Sequence, residues 1–367
     1  MKRHGRLEAY RIQPLPSRFP ARVLDLLTWL WHLGLLIQGE IRPPVRLPLA
    51  QRWRAWRRGF RARSSVMYRL DALEDYLSDY AIAKTHRINA AFNSLFRNKL
   101  VFSEIMARLG IPHPRMHALL HQGRVHALDE NPGPRQLDHW LRGLCEAERR
   151  LVLKPAFGGM GTGLVFVTRT DNGFAINGVA LSLADLRAFL AGLEYYLVTE
   201  FVQQADYAAT VYPHTTNTLR VLTLWDRALE APFIAAVAHR FGTTRSFPVD
   251  TFPPGISAKL DIDTGELGPG GMLSAEGELR WLERHPESNA PIQGVRVPFW
   301  PETRETILRL AAHLPYAPAV GWDLVVTKRG CSCLEGNSPP GPLVWQVHQP
   351  LLANPRVRRF YAEHGVI

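Results

Sequence analysis

The sequence predicts an α+β protein in which two mixed lobes follow a basic helical arm. The 367 residues are too many for one small core and indicate two or three domains. With 46% hydrophobic and 21% charged residues, the composition is that of an ordinary globular protein. After residue 64, helical and strand patterns alternate in a way that favours two α+β layers over a doubly wound parallel sheet.

The basic charge is confined to the arm. Residues 1–63 hold 14 Lys and Arg against three acidic residues, whereas the rest of the chain holds 30 of each sign. The whole net charge of +11 therefore lies in the arm. This distribution does not favour a nucleic-acid-binding body, and we expect no nucleic-acid partner.

Two helices are expected within the arm, one from about Pro20 to Gln38 and one from Gln51 to Arg63, with prolines between them. The second carries Trp53, Trp56 and Phe60 at i, i+3, i+7 spacing, with six arginines around them. Two interpretations stay open. The helix can lie on an anionic membrane surface, or the aromatic stripe can pack on the protein body with the arginines in solvent.

The sequence is typical of a cytoplasmic protein. The basic arm adds the option that the protein is attached peripherally to the inner face of the membrane. The low, odd count of three cysteines argues against a disulfide framework. A zinc site at Cys331 and Cys333 would need a second pair of cysteine ligands, which the sequence does not contain. The apolar run Val23–Ile37 is interrupted by Asp25 and His32, so it is too short to span a bilayer. No cleavage site follows it.

The patterns beyond the arm predict a series of elements in chain order. These are helical segments from Val66 to Arg97, a helix at Lys99–Leu109 capped by Gly110, a hairpin at Arg115–Leu128, a helix at Gln136–Arg149, a strand–loop–strand unit at Leu151–Thr168, a helix at Ala184–Leu193, a strand at Tyr195–Val202, strands around Arg220, Ile234 and Leu260, a helix at Glu302–Leu314 and a strand pair at Val320–Asn337.

A loop with four glycines, Gly158, Gly159, Gly161 and Gly163, follows Lys154. Backbone amides approach a phosphate closely where no Cβ intervenes, and the lysine adds a positive charge. A strand follows the loop where a Walker or dinucleotide-binding turn would open a helix. We therefore interpret the loop as a mobile β-hairpin flap over phosphates, with a plain surface hairpin as the alternative.

The closing strand pair predicts a metal site. If its turn is Lys328–Gly330, Asp323 faces Glu335 with Cβ atoms about 4.5–5.5 Å apart. Asn337 then lies on the same face as Glu335. Two carboxylates and an amide oxygen form a hard ligand set that suits Mg²⁺ together with phosphates and water. The alternative is an edge hairpin with solvated acids.

With these two features, the chain resembles the ATP-grasp superfamily, and most of all its sugar-transfer-associated branch, which is related to α-L-glutamate ligases. The resemblance covers roughly residues 98–349 and rests on Gly321-Trp-Asp together with Leu334-Glu-Gly-Asn. The segment 249–255 is similar to an Asp-Asn-Phe-x-Gly-Gly pattern but has Thr251 for the Asn and Pro254 for a Gly. Gln204-Ala stands where the branch often has Gln-His.

The resemblance implies a set of site residues. Those that would bind the nucleotide are Lys99, Lys154, Gly158, Gly159 and Gly161 on the phosphates, and Glu200, Phe201 and Val202 on the adenine edge. The catalytic residues would be Arg220, facing the γ-phosphate, and Arg240, facing an acyl phosphate. The alternatives are that both are salt-bridged strand arginines without a catalytic role and that Glu200 is an ordinary surface acid. The metal ligands would be Asp323, Glu335 and Asn337. For His285, a substrate role and a capping or solvated role stay open.

The resemblance also implies an ATP-grasp fold, in which two α+β lobes clasp ATP. We divide the chain into the arm at 1–63, a helical lead-in at 64–112, a small lobe with the glycine flap at 113–198 and a large lobe with the metal site at 199–367.

The implied function is that of an ATP-dependent ligase that uses Mg²⁺, or Mn²⁺ in its place, and joins a carboxylate to an amine through an acyl phosphate. The carboxylate would belong to a small molecule, a glycan or a peptide, with a sugar- or cell-envelope-linked substrate as one option. The alternatives are an ATP-grasp phosphotransferase and a non-catalytic protein that binds a nucleotide or a membrane surface. Residues 1–63 would contact an anionic membrane surface.

Overall fold

The computed structural model describes residues 30, 34, 37, 48–68, 70–128, 132–137, 140, 150–158, 161–171, 173–275 and 277–367. Three predictions therefore lie wholly or mostly outside the described residues: the helix at Pro20–Gln38, the helix at Gln136–Arg149 and the role of Gly159.

Short helices form the first described part of the chain, before either sheet begins. They are α1 (Leu49–Trp56), α2 (Ala62–Met67), α3 (Asp79–Lys84), α4 (His86–Asn89), α5 (Asn93–Arg97) and α6 (Lys99–Arg108), with 3-10 helices at Leu70–Asp75 and Ala90–Phe92. Helix α6 begins and ends as predicted. The Asn98 side chain accepts hydrogen bonds from the first turn, and Gly110 adopts a positive φ after the last one.

The single helix predicted from Gln51 to Arg63 is wrong. Gly59 adopts a φ of +79°, which ends the helical turn, and the Phe60 N–H donates back to the Ala55 carbonyl. The chain is then extended at Arg61 before α2 starts. The predicted aromatic stripe is split as a result. Phe60 is buried with 2% of its surface exposed, whereas Trp53 and Trp56 are 61% and 39% exposed.

An eight-stranded antiparallel sheet forms the small lobe, in the order β3-β2-β1-β8-β4-β5-β6-β7. Its strands are β1 (Met116–His121), β2 (Arg124–Ala127), β3 (Gly133–Arg135), β4 (Arg150–Pro155), β5 (Val165–Thr170), β6 (Gly173–Ile176), β7 (Val179–Leu181) and β8 (Tyr196–Glu200). Helix α7 (Leu183–Ala191) packs on β1 and β6. The predicted hairpin near Arg115 and the strand–loop–strand unit at the glycines are both present.

A seven-stranded antiparallel sheet forms the large lobe, in the order β13-β12-β11-β10-β9-β14-β15. Its strands are β9 (Leu219–Asp226), β10 (Ala231–Phe241), β11 (Ile256–Leu260), β12 (Leu267–Leu273), β13 (Leu279–Leu282), β14 (Ala319–Thr327) and β15 (Gly330–Asn337). The helices of this half are α8 (Asp206–Val211), α9 (Trp300–Ala312), α10 (Leu343–Gln346) and α11 (Pro355–Glu363), with a 3-10 helix at Leu351–Ala353.

The two faces of the large sheet bury separate apolar cores. Alternation along β9 sends Leu219 and Val221 to one face and Leu222 and Leu224 to the other. The first core includes α9 and part of α6. The second includes Phe60, residues of the lead-in and α11. The lead-in is therefore part of the large lobe's packing, while the division into four segments stays a prediction.

In the part of the chain that the structure describes, no helix combines the length and apolar character needed to cross a bilayer.

Candidate active site

The predicted carboxylate pair is brought together by an irregular hairpin. Strands β14 and β15 pair with Thr327 opposite Gly330, so the turn has two residues and the predicted three-residue turn is wrong. A β-bulge at Leu334 then shifts the register by one. The shift restores the predicted facing of Asp323 and Glu335.

Two arginines hold the Asp323 carboxylate. Arg220 donates to Oδ1 over 2.6 Å, and the Nη2 atom of Arg240 lies 3.2 Å from Oδ2. Burial by itself would raise the pKa of Asp323, but the two guanidinium groups outweigh burial and hold the pKa below its ordinary value. Asp323 is therefore an anion at neutral pH.

Glu335 has the opposite tendency. Burial, followed by the repulsion of the Asp323 charge, raises the pKa of Glu335, although Lys99, Arg220 and Lys154 oppose the increase. A cation between the two carboxylates would remove this repulsion. The Asn337 amide nitrogen lies 3.3 Å from Asp323 and 3.4 Å from Glu335. Turning the amide over would direct its oxygen at such a cation, so the three side chains fit a Mg²⁺ ion.

Both predicted lysines lie beside this pair, where burial lowers their pKa values. The pKa of Lys154 falls to about 8 because of burial, with Glu335 opposing the fall. Burial lowers the pKa of Lys99 as well, again against Glu335. Lys99 is the first residue of α6, and its ammonium donates to the Gly158 carbonyl over 2.8 Å. Its backbone N–H donates to Ala156, which fixes the helix start against the glycine loop.

The glycine loop requires its glycines. Gly158, Gly161 and Gly163 have φ values of +99°, +68° and +75°, a region that other residues rarely adopt. A Cβ on Gly161 would lie 2.5 Å from a methyl group of Val249, so the loop closes on the segment before Asp250. A strand follows the loop, as predicted for a β-hairpin flap.

The segment predicted to contact the adenine edge, Glu200–Val202, begins at the last residue of β8. Glu200 pairs with Leu151 of β4, and its Oε1 accepts a hydrogen bond from the Arg115 N–H. The Phe201 ring lies under the Arg150 guanidinium, 3.9 Å from its carbon atom. These contacts fix the segment between the lobes while it borders the cavity.

One residue of this site, Asp250, was missed as a functional candidate, although its segment was recognised as a motif. Its Oδ2 accepts hydrogen bonds from the Thr218 backbone and hydroxyl over 2.8 and 2.6 Å. The same hydroxyl accepts from Arg240 over 2.6 Å, and the Arg240 Nη2 lies 3.4 Å from Asp250 Oδ1. Burial opposes the charge of Arg240, yet Asp250, Asp323 and Glu335 keep its pKa raised. Asp250 and Thr218 thus position Arg240.

The two histidines near these residues have structural roles. His239 accepts a hydrogen bond from Tyr207, and burial lowers the pKa of His239 to about 3, so it is neutral. His285 contacts the Gly242 carbonyl over 2.8 Å and accepts from the Ser288 N–H. For His285, the structure therefore favours the capping role.

These side chains line one cavity of about 470 Å³, within the range typical of small-molecule sites. Of the predicted site residues that the structure describes, all but Gly158 border it: Lys99, Lys154, Gly161, Glu200, Phe201, Val202, Arg220, Arg240, Asp323, Glu335 and Asn337. Four basic side chains and a pair of carboxylates therefore meet in one cleft between the lobes. A second groove, of about 780 Å³, shares only the segment Glu200–Val202 with these residues.

A family model described as sugar-transfer-associated ATP-grasp matches residues 84–360, which is most of the chain. The chain belongs to this family. The predicted ATP-grasp fold is thereby confirmed, and ATP and Mg²⁺ are its cofactors.

The solved structures that match this chain do so at low sequence identity. They include D-alanyl-alanine synthetase A from Vibrio cholerae, with 13% identity, a TM-score of 0.41 and coverage of 78% of this chain and 68% of that one. Biotin carboxylase from Campylobacter jejuni has 13% identity and a TM-score of 0.42, and the match covers 77% of this chain and 48% of that one. An ADP complex of N5-carboxyaminoimidazole ribonucleotide synthetase has 12% identity and a TM-score of 0.40, and the match covers 70% of this chain and 51% of that one. The chain thus spans about half the length of the last two structures. No curated protein sequence matches it.

The geometry fits these cofactors. Arg220 Nε is buried without a hydrogen-bond partner among the described residues, which suits an anionic ligand as the missing acceptor. No group of three His, Cys, Asp or Glu side chains that could hold a metal occurs in the described part of the chain. Asp323, Glu335 and Asn337 include two such side chains, so they could hold a metal only with further ligands such as phosphate oxygens and water.

Proposed function

We propose that this family member is an ATP- and Mg²⁺-dependent ligase that joins a carboxylate to an amine through an acyl phosphate. The observation that supports the proposal best is the meeting of the Asp323–Glu335 pair with Lys99, Lys154 and Arg220 in one cleft. Cations beside a hard oxygen-ligand set are the arrangement that phosphoryl transfer requires.

The division of labour follows from the charges. Lys154 and Lys99 bind the phosphates and keep them in line with the acceptor carboxylate. Bound at Asp323, Glu335 and Asn337, Mg²⁺ would neutralise the phosphate oxygens as charge moves to the leaving ADP. The γ-phosphoryl group passes to a carboxylate oxygen, the amine then attacks the acyl carbon, and phosphate leaves as the amine loses a proton.

Arg240 is suited to the second half of this reaction. It is fixed by Thr218, Asp250 and Asp323, so its guanidinium is oriented before the substrate arrives. A preoriented cation stabilises the charge that develops on the acyl phosphate and on the tetrahedral intermediate after amine attack. The glycine flap, closed against Val249, would keep water from the acyl phosphate.

Glu335→Gln tests the proposal. The substitution keeps the shape and removes a carboxylate whose charge is disfavoured by burial and by Asp323, so the melting temperature should not fall. Mg²⁺-dependent ADP release should drop below 1% of wild type, a loss on the order of 3 kcal/mol or more in transition-state stabilisation. Glu305→Gln, at an exposed position of α9, serves as the matched control. Wild-type turnover by Glu335→Gln would contradict the metal assignment.

The reaction products separate a ligase from the phosphotransferase alternative. Over a panel of amino acids, sugar acids and small peptides, a ligase releases ADP, inorganic phosphate and an amide in equal amounts. A phosphotransferase releases ADP and a phosphorylated acceptor without inorganic phosphate. ADP release without amide under any pairing of carboxylate and amine would defeat the ligase proposal.

We place this activity in the cytoplasm, at the inner face of the membrane, with a sugar- or cell-envelope-linked substrate. The family's association with sugar transfer supports the substrate class. The free thiols of Cys331 and Cys333 suit a reducing compartment. The concentration of the net positive charge in residues 1–63 supports contact with an anionic surface.

A further inference from the structure

Helix α1 presents an apolar stripe that is exposed among the residues that the structure describes. Leu49, Trp53 and Trp56 are exposed, and at about 100° per residue they lie within roughly 60° of one another around the helix. Ala55, on another side of the helix, is buried against the body. Large aromatic side chains seldom stay exposed on one contiguous face without a partner.

The chain around this stripe is purely basic. Residues 48–63 contain six arginines and no Asp or Glu. Arg54, Arg57 and Arg58 are exposed within α1 or just after it, and the Arg52 guanidinium stacks over the Trp56 ring at 4.9 Å. Tryptophan with flanking arginine is the composition of helices that lie in the headgroup region of an anionic bilayer.

The stripe is held rigidly by its neighbour in the sequence. Phe60 is buried, and its ring makes an edge contact with Tyr68 at 6.0 Å. The Gly59 carbonyl accepts a hydrogen bond from the Tyr80 N–H. A surface that is already ordered loses little conformational entropy when it binds. Of the three aromatic residues, Phe60 is thus buried in the body, whereas Trp53 and Trp56 face outward.

We propose that α1, through Leu49, Trp53 and Trp56 together with Arg54, Arg57 and Arg58, is a docking surface for an anionic lipid bilayer. The tryptophan rings lie among the headgroups and the arginines pair with lipid phosphates. Tyr68 also borders the catalytic cavity. Phe60, which follows α1 in the chain, is therefore one ring contact from a residue that borders the proposed site of ligation.

Cosedimentation of the full chain with vesicles tests this proposal. Vesicles of phosphatidylglycerol and phosphatidylcholine in equal parts should bind the protein, pure phosphatidylcholine vesicles should bind it far less, and binding should fall steeply from 50 to 500 mM salt. Reversing the charge at Arg54, Arg57 and Arg58 with Glu should weaken partitioning by at least about 150-fold, from about 1 kcal/mol per arginine. The double variant W53A/W56A should weaken it by roughly tenfold or more.

Matched controls exist on the body. Trp281 is 48% exposed, and Arg227, Arg304 and Arg329 are exposed, so W281A and the triple charge reversal of these arginines make equal chemical changes elsewhere. Both controls should bind vesicles like wild type. Since α1 carries no proposed catalytic group, ATP turnover without vesicles should be unchanged in all four variants, which separates failure of this proposal from failure of the ligase proposal.

Four results would overturn the proposal. They are equal binding to both vesicle types, equal losses in the α1 and control variants, dimerisation through the tryptophans without vesicle binding, and retention of labelled RNA without vesicle binding.

Discussion

Lys154 gives the sharpest test of the nucleotide site because its charge should change within an accessible pH range. Burial, the largest influence, lowers its pKa from 10.5 to about 8 in the free protein, with Glu335 opposing and Lys99 adding to the fall. Below about pH 7 the ammonium is charged and can pair with a phosphate. As pH rises through 8, the free protein loses this proton, so ATP affinity should be flat on the acid side and decline on the basic side.

The size of the effect follows from the contact that is lost. A hydrogen bond between a charged donor and a phosphate contributes about 1–3 kcal/mol, so Lys154→Ala should raise the ATP Kd by roughly 5- to 150-fold at pH 7. The difference between wild type and variant should shrink above pH 8, where the wild-type lysine is increasingly neutral. Bound phosphate favours the charged form, so the decline should be gradual.

Calorimetric titration of Mg-ATP between pH 6.5 and 9.5 measures both effects. Lys154→Arg stays charged throughout this range and should keep a flat profile above pH 8, apart from any slope due to Lys99. Lys328→Ala, at the exposed hairpin turn, is the surface control. An unchanged Kd in folded Lys154→Ala, or identical pH profiles for wild type and Lys154→Arg, would refute the reasoning.

Three further predictions concern residues around the site. Asp250→Asn removes the anion that positions Arg240, so product analysis should show amide formation lowered by about 10- to 100-fold. Calorimetry should show an ATP affinity within about twofold of wild type. Gly161→Ala should slow turnover because its Cβ would lie 2.5 Å from Val249; adding Val249→Ala should restore part of the rate, and full activity of Gly161→Ala alone would contradict this. Phe60→Ala should destabilise the fold by about 3–5 kcal/mol and Trp53→Ala by less than about 0.5 kcal/mol, and equal shifts in denaturant midpoint would contradict the split of the aromatic stripe.

The sequence was most informative where chemistry and local spacing coincide. The family motif and the alternation of strand patterns predicted the ATP-grasp fold, and the register argument predicted that Asp323 faces Glu335. That argument succeeded through two compensating irregularities, because the actual turn is one residue shorter and a bulge adds the residue back. A hairpin sequence without an alignment gives no indication of where such a bulge lies.

Contacts between distant parts of the chain were not predictable in the same way. Asp250 and Thr218 are 32 positions apart, and only the folded sheet places the carboxylate on the hydroxyl that holds Arg240. The break in the arm could have been predicted, since Gly59 is a residue that commonly ends a helix. The inward direction of Phe60 depends on packing against Tyr68, which no local periodicity specifies.

The bulge in the last hairpin also determines how densely the strand presents its side chains to the ligand cavity. On a regular strand, adjacent residues point to opposite faces, so only every second side chain can contact a ligand on one side of the sheet. Around the bulge, Leu334 and Glu335 both border the cavity, and Asn337 follows on the same wall. Two consecutive codons thus supply an apolar surface and a metal-binding carboxylate to one ligand. Random mutagenesis aimed at changing nucleotide preference should therefore find neighbouring positions, rather than alternating ones, at this point of the gene.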